Sequence, residues 1–151
     1  MSFSITRVCP SCGSRNRIPP QHLAHVGRCG SCKAQLPPQD EPIEADTEAF
    51  EAITSQSTEP VLVDFWAAWC GPCRVSAPEF QALARELAGQ AVFLKVDVDA
   101  QPQLAARFNV SSIPYLVILM KGRPVYQQAG WPGRANLTRA LQSLRARAAT
   151  V

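Results

Sequence analysis

Apolar positions along this chain fall into blocks whose spacing changes from continuous or alternating to helical and back. Val61-Leu62-Val63-Asp64-Phe65-Trp66 is apolar on both faces but for one acid, which predicts a central strand buried on both sides. Phe80, Leu83, Ala84 and Leu87 then recur at i, i+3, i+4 and i+7, one stripe of an amphipathic helix. Pro78 inside that helix predicts a bend, and Gly89 predicts its end. Val92-Phe93-Leu94-Lys95-Val96-Asp97 reads as a second buried strand, and 103–108 as a short helix. Two further strands, 115–120 and 125–129, are joined through Lys121-Gly122-Arg123-Pro124, a hairpin signal. A last helix places Leu137, Leu141 and Leu144 inward, with Arg139, Arg145 and Arg147 outward. Ahead of all these, Asp46 or Thr47 can cap a short helix running to about Ser55. Strand–helix alternation that ends in a hairpin and a helix predicts an α/β domain, a mixed sheet with helices on both faces.

The residues up to about Leu36 break this pattern. They are rich in Cys, Gly, Pro, Ser and Arg and poor in large apolar side chains, so they cannot fold on burial alone. Pro37-Pro38-Gln39-Asp40-Glu41-Pro42 reads as an extended, semi-rigid linker. The expected organisation is a small domain over 1–36, a linker over 37–42 and the α/β domain over 43–151. Charge reverses at the same place. Residues 1–40 carry Arg7, Arg15, Arg17, Arg28 and Lys33 against Asp40, whereas 41–60 carry Glu41, Glu44, Asp46, Glu48, Glu51 and Glu59 with no base. That reversal is compatible with two surfaces that attract each other.

The 151 residues hold six cysteines, all in Cys-x-x-Cys pairs. The first residues have no apolar core of signal-peptide length, and the longest apolar run, 115–120, is too short to span a bilayer. The expected compartment is therefore the cytoplasm, with no membrane association, where paired cysteines point to metal binding or catalysis more than to structural disulfides. Cys9/Cys12 and Cys29/Cys32 are separated by sixteen residues, the four-cysteine zinc spacing. Gly13 and Gly30 lie where a knuckle must turn its N–H groups toward sulfur. One structural Zn²⁺ would supply about 10–16 kcal/mol, enough to fold a segment without a core. His22 and His25 are alternative ligands, with surface positions the plainer reading. Oxidation of the same thiolates would release the metal, which makes a redox-sensitive site a further reading.

Trp69-Cys70-Gly71-Pro72-Cys73 sits where a buried strand gives way to a helix. Unpaired N–H groups at a helix start stabilise a thiolate, the form of cysteine that attacks disulfides. Cys70 would lie exposed at that start, and Cys73 one turn inside and more covered. Spacing alone leaves half of a metal site as a second reading of this pair.

The stretch Asp64-Phe65-Trp66-Ala67-Ala68-Trp69-Cys70-Gly71-Pro72-Cys73 resembles the active-site signature of the thioredoxin family, and the likeness runs from about residue 43 to the end. Together with the four-cysteine segment, the chain resembles the zinc-containing bacterial thioredoxins of the thioredoxin 2 type. The resemblance implies a thioredoxin fold preceded by a zinc ribbon. It implies a protein-disulfide reductase whose redox-active disulfide, Cys70–Cys73, works without a bound organic cofactor. Asp64, raised in pKa by burial, would take the proton from Cys73, and Lys95 would pair with Asp64. Ile113-Pro114 resembles the family's cis-proline loop, with the Ile113 backbone pairing to an extended substrate. Trp69, Gly71, Pro72 and Gly130 would complete the contact surface, while Trp66 reads as structural. Tyr115 departs from the threonine that many relatives carry there. The partners implied are disulfide-containing substrate proteins and an NADPH-dependent thioredoxin reductase, with the protein a monomer and nucleic acid not an expected ligand. The alternative is a binding module, in which the basic ribbon contacts nucleic acid or a protein partner.

Overall fold

The structure is a computed structural model of the chain and describes residues 3–149. Two small antiparallel ladders open it. Strand β1 (Ile5–Val8) pairs with β2 (Arg15–Ile18), and β3 (Gly27–Arg28) pairs with β4 (Gln35–Leu36), with a single 3₁₀ turn at Pro20–His22 between the ladders. The chain then enters a five-stranded sheet of order β5-β7-β6-β8-β9, formed by Ile43–Glu44, Val92–Asp97, Val61–Trp66, Tyr115–Met120 and Arg123–Ala129 respectively. Strands β5, β7 and β6 run parallel, whereas β8 and β9 are antiparallel to their neighbours. The helices are α1 (Thr47–Gln56), α2 (Gly71–Glu86), α3 (Pro102–Arg107) and α4 (Arg134–Ala149).

Alternation along the strands divides the core in two. Val61, Val63, Phe65, Leu94, Val96, Val117 and Leu119 face Phe50 and Ile53 of α1 and Leu104 of α3. Leu62, Phe93, Leu116 and Ile118 face Phe80 and Leu83 of α2 and Leu137 and Leu141 of α4. These are the two covered faces of a mixed sheet, and the apolar stripes expected on α2 and α4 are the ones that bury. Asp46 caps α1, its carboxylate accepting from the Ala49 N–H at 2.8 Å.

Three local expectations change. Helix α2 contains Pro78 but stops at Glu86, and Gly89 takes its positive φ of 87° in the turn that follows. The hairpin loop is tighter than the four residues expected: Lys121 and Gly122, at φ 52° and 78°, make the turn, while Arg123 and Pro124 already pair with Met120 and Leu119. Arg145 is not free at the surface, since it reaches Glu59 at 3.1 Å and Gln90 at 3.4 Å.

The ribbon packs on the α1 side of the sheet. Ile18, Leu23 and Leu36 are buried in the same cluster as Ile43, Phe50 and Ile53. Residues 37–42 form no regular element, yet Gln39 donates to the Leu23 carbonyl at 2.9 Å. Attraction between basic and acidic surfaces is not how the two parts meet. Arg15, Arg17, Arg28 and Lys33 are exposed, while Glu51 and Glu59 pair with Arg107 and Arg145. Arg7 is buried and donates to the Leu23 carbonyl at 3.1 Å, so it orders the ribbon internally. Apolar burial dominates the contact.

Candidate functional site: a redox pair and a four-cysteine cluster

Cys70 is the N-cap of α2, and its sulfur accepts from the Cys73 N–H at 3.2 Å. Gly71 and Pro72 fill the first turn, where a proline's missing N–H costs nothing because that group would have no partner in the helix. Cys70 and Cys73 are joined as a disulfide with a Cα–Cα distance of 5.3 Å. The difference in cover expected between them is absent. Cys70 is 3% exposed and Cys73 2%, because Ala67 packs with both and Trp66, Val98 and Ile113 close over them. The Ile113 carbonyl oxygen stands 3.7 Å from the Cys70 sulfur.

The Ile113–Pro114 peptide bond is cis, and the Pro114 carbonyl accepts from the Gly130 N–H at 2.8 Å. Gly130 holds φ 82°, a conformation open to glycine. The structure thus brings Cys70, Cys73, Ile113, Pro114 and Gly130 to one end of the sheet. Trp69 stands 66% exposed, and its indole N–H donates to Asp99 at 2.8 Å. A pocket of ≈ 370 Å³ lies beside it, lined by Val98, Val110, Ser111, Ser112 and Ile113. Tyr115 packs against Phe65, with its hydroxyl donating to Gln127 at 3.1 Å.

Asp64 is 1% exposed, and its Oδ1 has no hydrogen-bond partner among the described residues. Burial pushes its pKa up to about 7, with Lys95 pulling down and Glu44 pushing further up. Register sets Asp64 directly beside Lys95 on the neighbouring strand. The ion pair expected between them is not formed, since no contact within salt-bridge distance joins the two. The Lys95 ammonium instead lies 4.3 Å from the Trp66 ring centroid, and the Trp66 N–H donates to Glu44 at 3.1 Å.

The second site is the ribbon cluster. The sulfurs of Cys9, Cys12, Cys29 and Cys32 all lie within 4.8 Å of one another, with Cys9–Cys32 and Cys12–Cys29 at 3.6 Å. A tetrahedral zinc with bonds of about 2.3 Å needs sulfur–sulfur edges of about 3.8 Å. The donor set and its spacing therefore fit zinc. The N–H groups of Cys12 and Ser31 point at the sulfurs of Cys9 and Cys29, at 3.5 and 3.4 Å. The residues that need a left-handed backbone are Gly13 (φ 78°) and Lys33 (φ 68°), each just after the second cysteine of its pair. Gly30 needs no such freedom, and its N–H goes to Asn16 at 3.0 Å. Asn16 also donates to the Cys29 sulfur at 3.6 Å, so one side chain ties the two knuckles together. Neither histidine belongs to the cluster. His22 and His25 face each other at 3.0 Å, and His25 reaches Thr58 at 3.0 Å across to the sheet domain.

Asn16, Asp99 and Glu44 are site residues the sequence did not single out. Asp99 and Asn16 carry no local signal, because their partners lie 30 and 13 positions away. Glu44 was visible only as one acid of a run.

Comparisons with known proteins agree with this geometry. The thioredoxin family pattern matches residues 41–143, and that of the thioredoxin 2 N-terminal domain matches residues 8–34. Thioredoxin C-3 of Corynebacterium nephridii is 46% identical over 82% of this chain and 83% of its own. A bifunctional thioredoxin reductase/thioredoxin of Mycobacterium leprae is 42% identical over 68% of this chain and 22% of its own. Among solved structures, a mutant thioredoxin from Halobacterium salinarum superposes with a TM-score of 0.64 at 32% identity, over 69% of this chain and 90% of that one.

Proposed function

The chain belongs to the thioredoxin family and is a thiol–disulfide oxidoreductase, and we propose that Cys70 is its attacking nucleophile, Cys73 its resolving thiol and Asp64 the base that serves Cys73. The observation that carries this reading is the placement of the Cys70 sulfur at the start of α2, on the Cys73 N–H. In the reduced protein the Cys70 thiolate attacks one sulfur of a substrate disulfide, and the other sulfur leaves as a thiolate. A mixed disulfide results. Cys73 then passes its proton to the Asp64 carboxylate and attacks the Cys70 sulfur. The substrate's second thiolate departs and is protonated, leaving Cys70–Cys73 oxidised.

A lowered thiol pKa accounts for only part of the rate. Going from about 8.5 to the value of about 7 known for thioredoxin raises the thiolate fraction at neutral pH from about 3% to about 50%. Reduced intrinsic nucleophilicity takes back roughly fivefold of this gain, so a few-fold remains. The larger share comes from positioning. We assign that to the surface of Trp69, Gly71, Pro72, Ile113, Pro114 and Gly130, with the Ile113 backbone pairing to an extended substrate segment.

Cys9, Cys12, Cys29 and Cys32 are the proposed ligands of one structural zinc, which when bound supplies the folding energy that the ribbon's small core lacks. The proposed division of the chain is 1–36 as ribbon, 37–42 as connector and 43–151 as thioredoxin domain. The family acts on disulfide-bearing substrates, and the fused M. leprae relative supports an NADPH-dependent reductase as the electron donor. Among the described residues no helix is long and apolar enough to cross a membrane. We propose a cytoplasmic location, the compartment in which paired cysteines serve as metal ligands or redox groups more than as structural disulfides. We propose a monomer that does not act on nucleic acid.

The test is a trap. A Cys73→Ser variant, reduced and mixed with a disulfide-bonded protein, is expected to accumulate a mixed disulfide through Cys70 that dithiothreitol releases. Absence of that adduct in folded protein would refute the assignment.

A further inference from the structure

Glu44 lies on the edge strand β5, in register with Lys95 of β7, and Lys95 is in register with Asp64 of β6. In-register parallel neighbours place their side chains on the same face. Three ionisable groups therefore form a row from the buried middle of the sheet to its edge. Trp66, two residues beyond Asp64 on that face, connects the outer members. Its ring carries the Lys95 ammonium at 4.3 Å, and its N–H is held by the Glu44 carboxylate at 3.1 Å. Lys95 thus lies between two acids and closes on neither.

We propose that Glu44 is a positioning residue for the reductase reaction: with Trp66 it holds the Lys95 ammonium toward the sheet edge and away from the Asp64 carboxyl that exchanges a proton with Cys73. This rests on the reading of Asp64 as the base for Cys73. Lys95 opens to water through a pocket of ≈ 360 Å³, where its lining neighbours include Glu41 and Gln81. Helix α2 faces that pocket with Ala77, Pro78 and Gln81, which carry no charge, and β8 sets Leu116 beside Asp64. On the other side of Glu44 the charged neighbours are Asp46 and Asp97, while β1 contributes the apolar Ile5. Lys95 is the only cation among these groups. Removing the Glu44 charge therefore leaves Lys95 freer to turn to Asp64, with Glu41 the acid that still faces it across the pocket. Burial raises the Glu44 carboxyl as well, with the Trp66 N–H and Lys95 opposing and Asp97 reinforcing.

The experiment follows the Asp64 carboxyl by NMR titration in the oxidised full-length protein, beside the pH profile of single-turnover disulfide reduction. Glu44→Gln keeps an acceptor for the Trp66 N–H and removes only the charge. Two strand spacings, about 10 Å, and an effective dielectric constant of about 20 to 80 predict a fall in the Asp64 midpoint of about 0.3 to 1.2 pH units. The acid limb of the rate profile should move down by the same amount, and Glu44→Asp should restore much of it. An unmoved Asp64 midpoint in folded Glu44→Gln overturns the role of Glu44. If Asp64→Asn still removes the acid limb in that case, the base assignment stands without Glu44. An Asp64→Asn protein with the wild-type profile would defeat the base assignment and this inference together.

Discussion

The burial that suits Asp64 to its proposed role as the base for Cys73 also costs stability. Its carboxyl titrates near pH 7 in the folded protein and near 3.8 as a free side chain, because burial disfavours the charged form. Between those two values the folded state holds a proton that the unfolded state has released, so stability falls as pH rises through this window. About three units correspond to about 4 kcal/mol lost by pH 8. Asp64→Asn should abolish that loss, so its stability advantage in urea unfolding grows from pH 5 to pH 8. Disulfide reduction at pH 7 should meanwhile slow at least about 10-fold. An advantage independent of pH would mean that Asp64 is not a buried titrating group. Asn16→Ala removes the bond to the Cys29 sulfur and the acceptor for Gly30, and should weaken zinc retention against a chelator about 10- to 100-fold. Asp64 was legible as a lone acid in an apolar strand. Asn16 and Asp99 were not, since each acts through a contact made only by the folded chain.

Periods, caps and turn signals located α1 to α4 and the four longer strands of the sheet domain, whereas β5, two residues long, carries no period and has no signal in the sequence. Element ends were harder to place, since they depend on backbone conformations that any residue can be made to adopt. Lys121 at φ 52° and Lys33 at φ 68° occupy left-handed positions where glycine or asparagine was the signal sought. That misfit has a measurable consequence. Lys121→Asn supplies the Asn-Gly pair favoured in a two-residue hairpin turn and should raise stability by about 0.5–1 kcal/mol in chemical unfolding. A neutral or destabilising result would mean that the Lys121 side chain contributes more than its backbone strain costs. The cysteine pair at the head of α2 was legible as an element junction. How evenly the two sulfurs are covered was not, because that cover comes from Val98 and Ile113 on other elements.

At the scale of the molecule, the ribbon and the sheet domain share one core. Leu23 and Leu36 of the ribbon are fully buried with Phe50 and Ile53 of α1, so loss of zinc should be felt beyond the ribbon. Chelation at neutral pH is expected to lower the Tm of the whole chain, read by circular dichroism of the sheet domain. An unchanged Tm after demonstrated metal loss would mean that the ribbon rides on the domain without supporting it. Cysteine spacing and the charge reversal made two modules legible in the sequence, but apolar packing rather than charge joins them. In the proposed mechanism Cys70 begins disulfide exchange. NADPH-coupled reduction of insulin disulfides, with a thioredoxin reductase, tests it most directly when the wild type is compared with Cys70→Ser. Turnover is expected in the wild type and background rates in the variant; equal turnover in both would show that Cys70 is not the nucleophile.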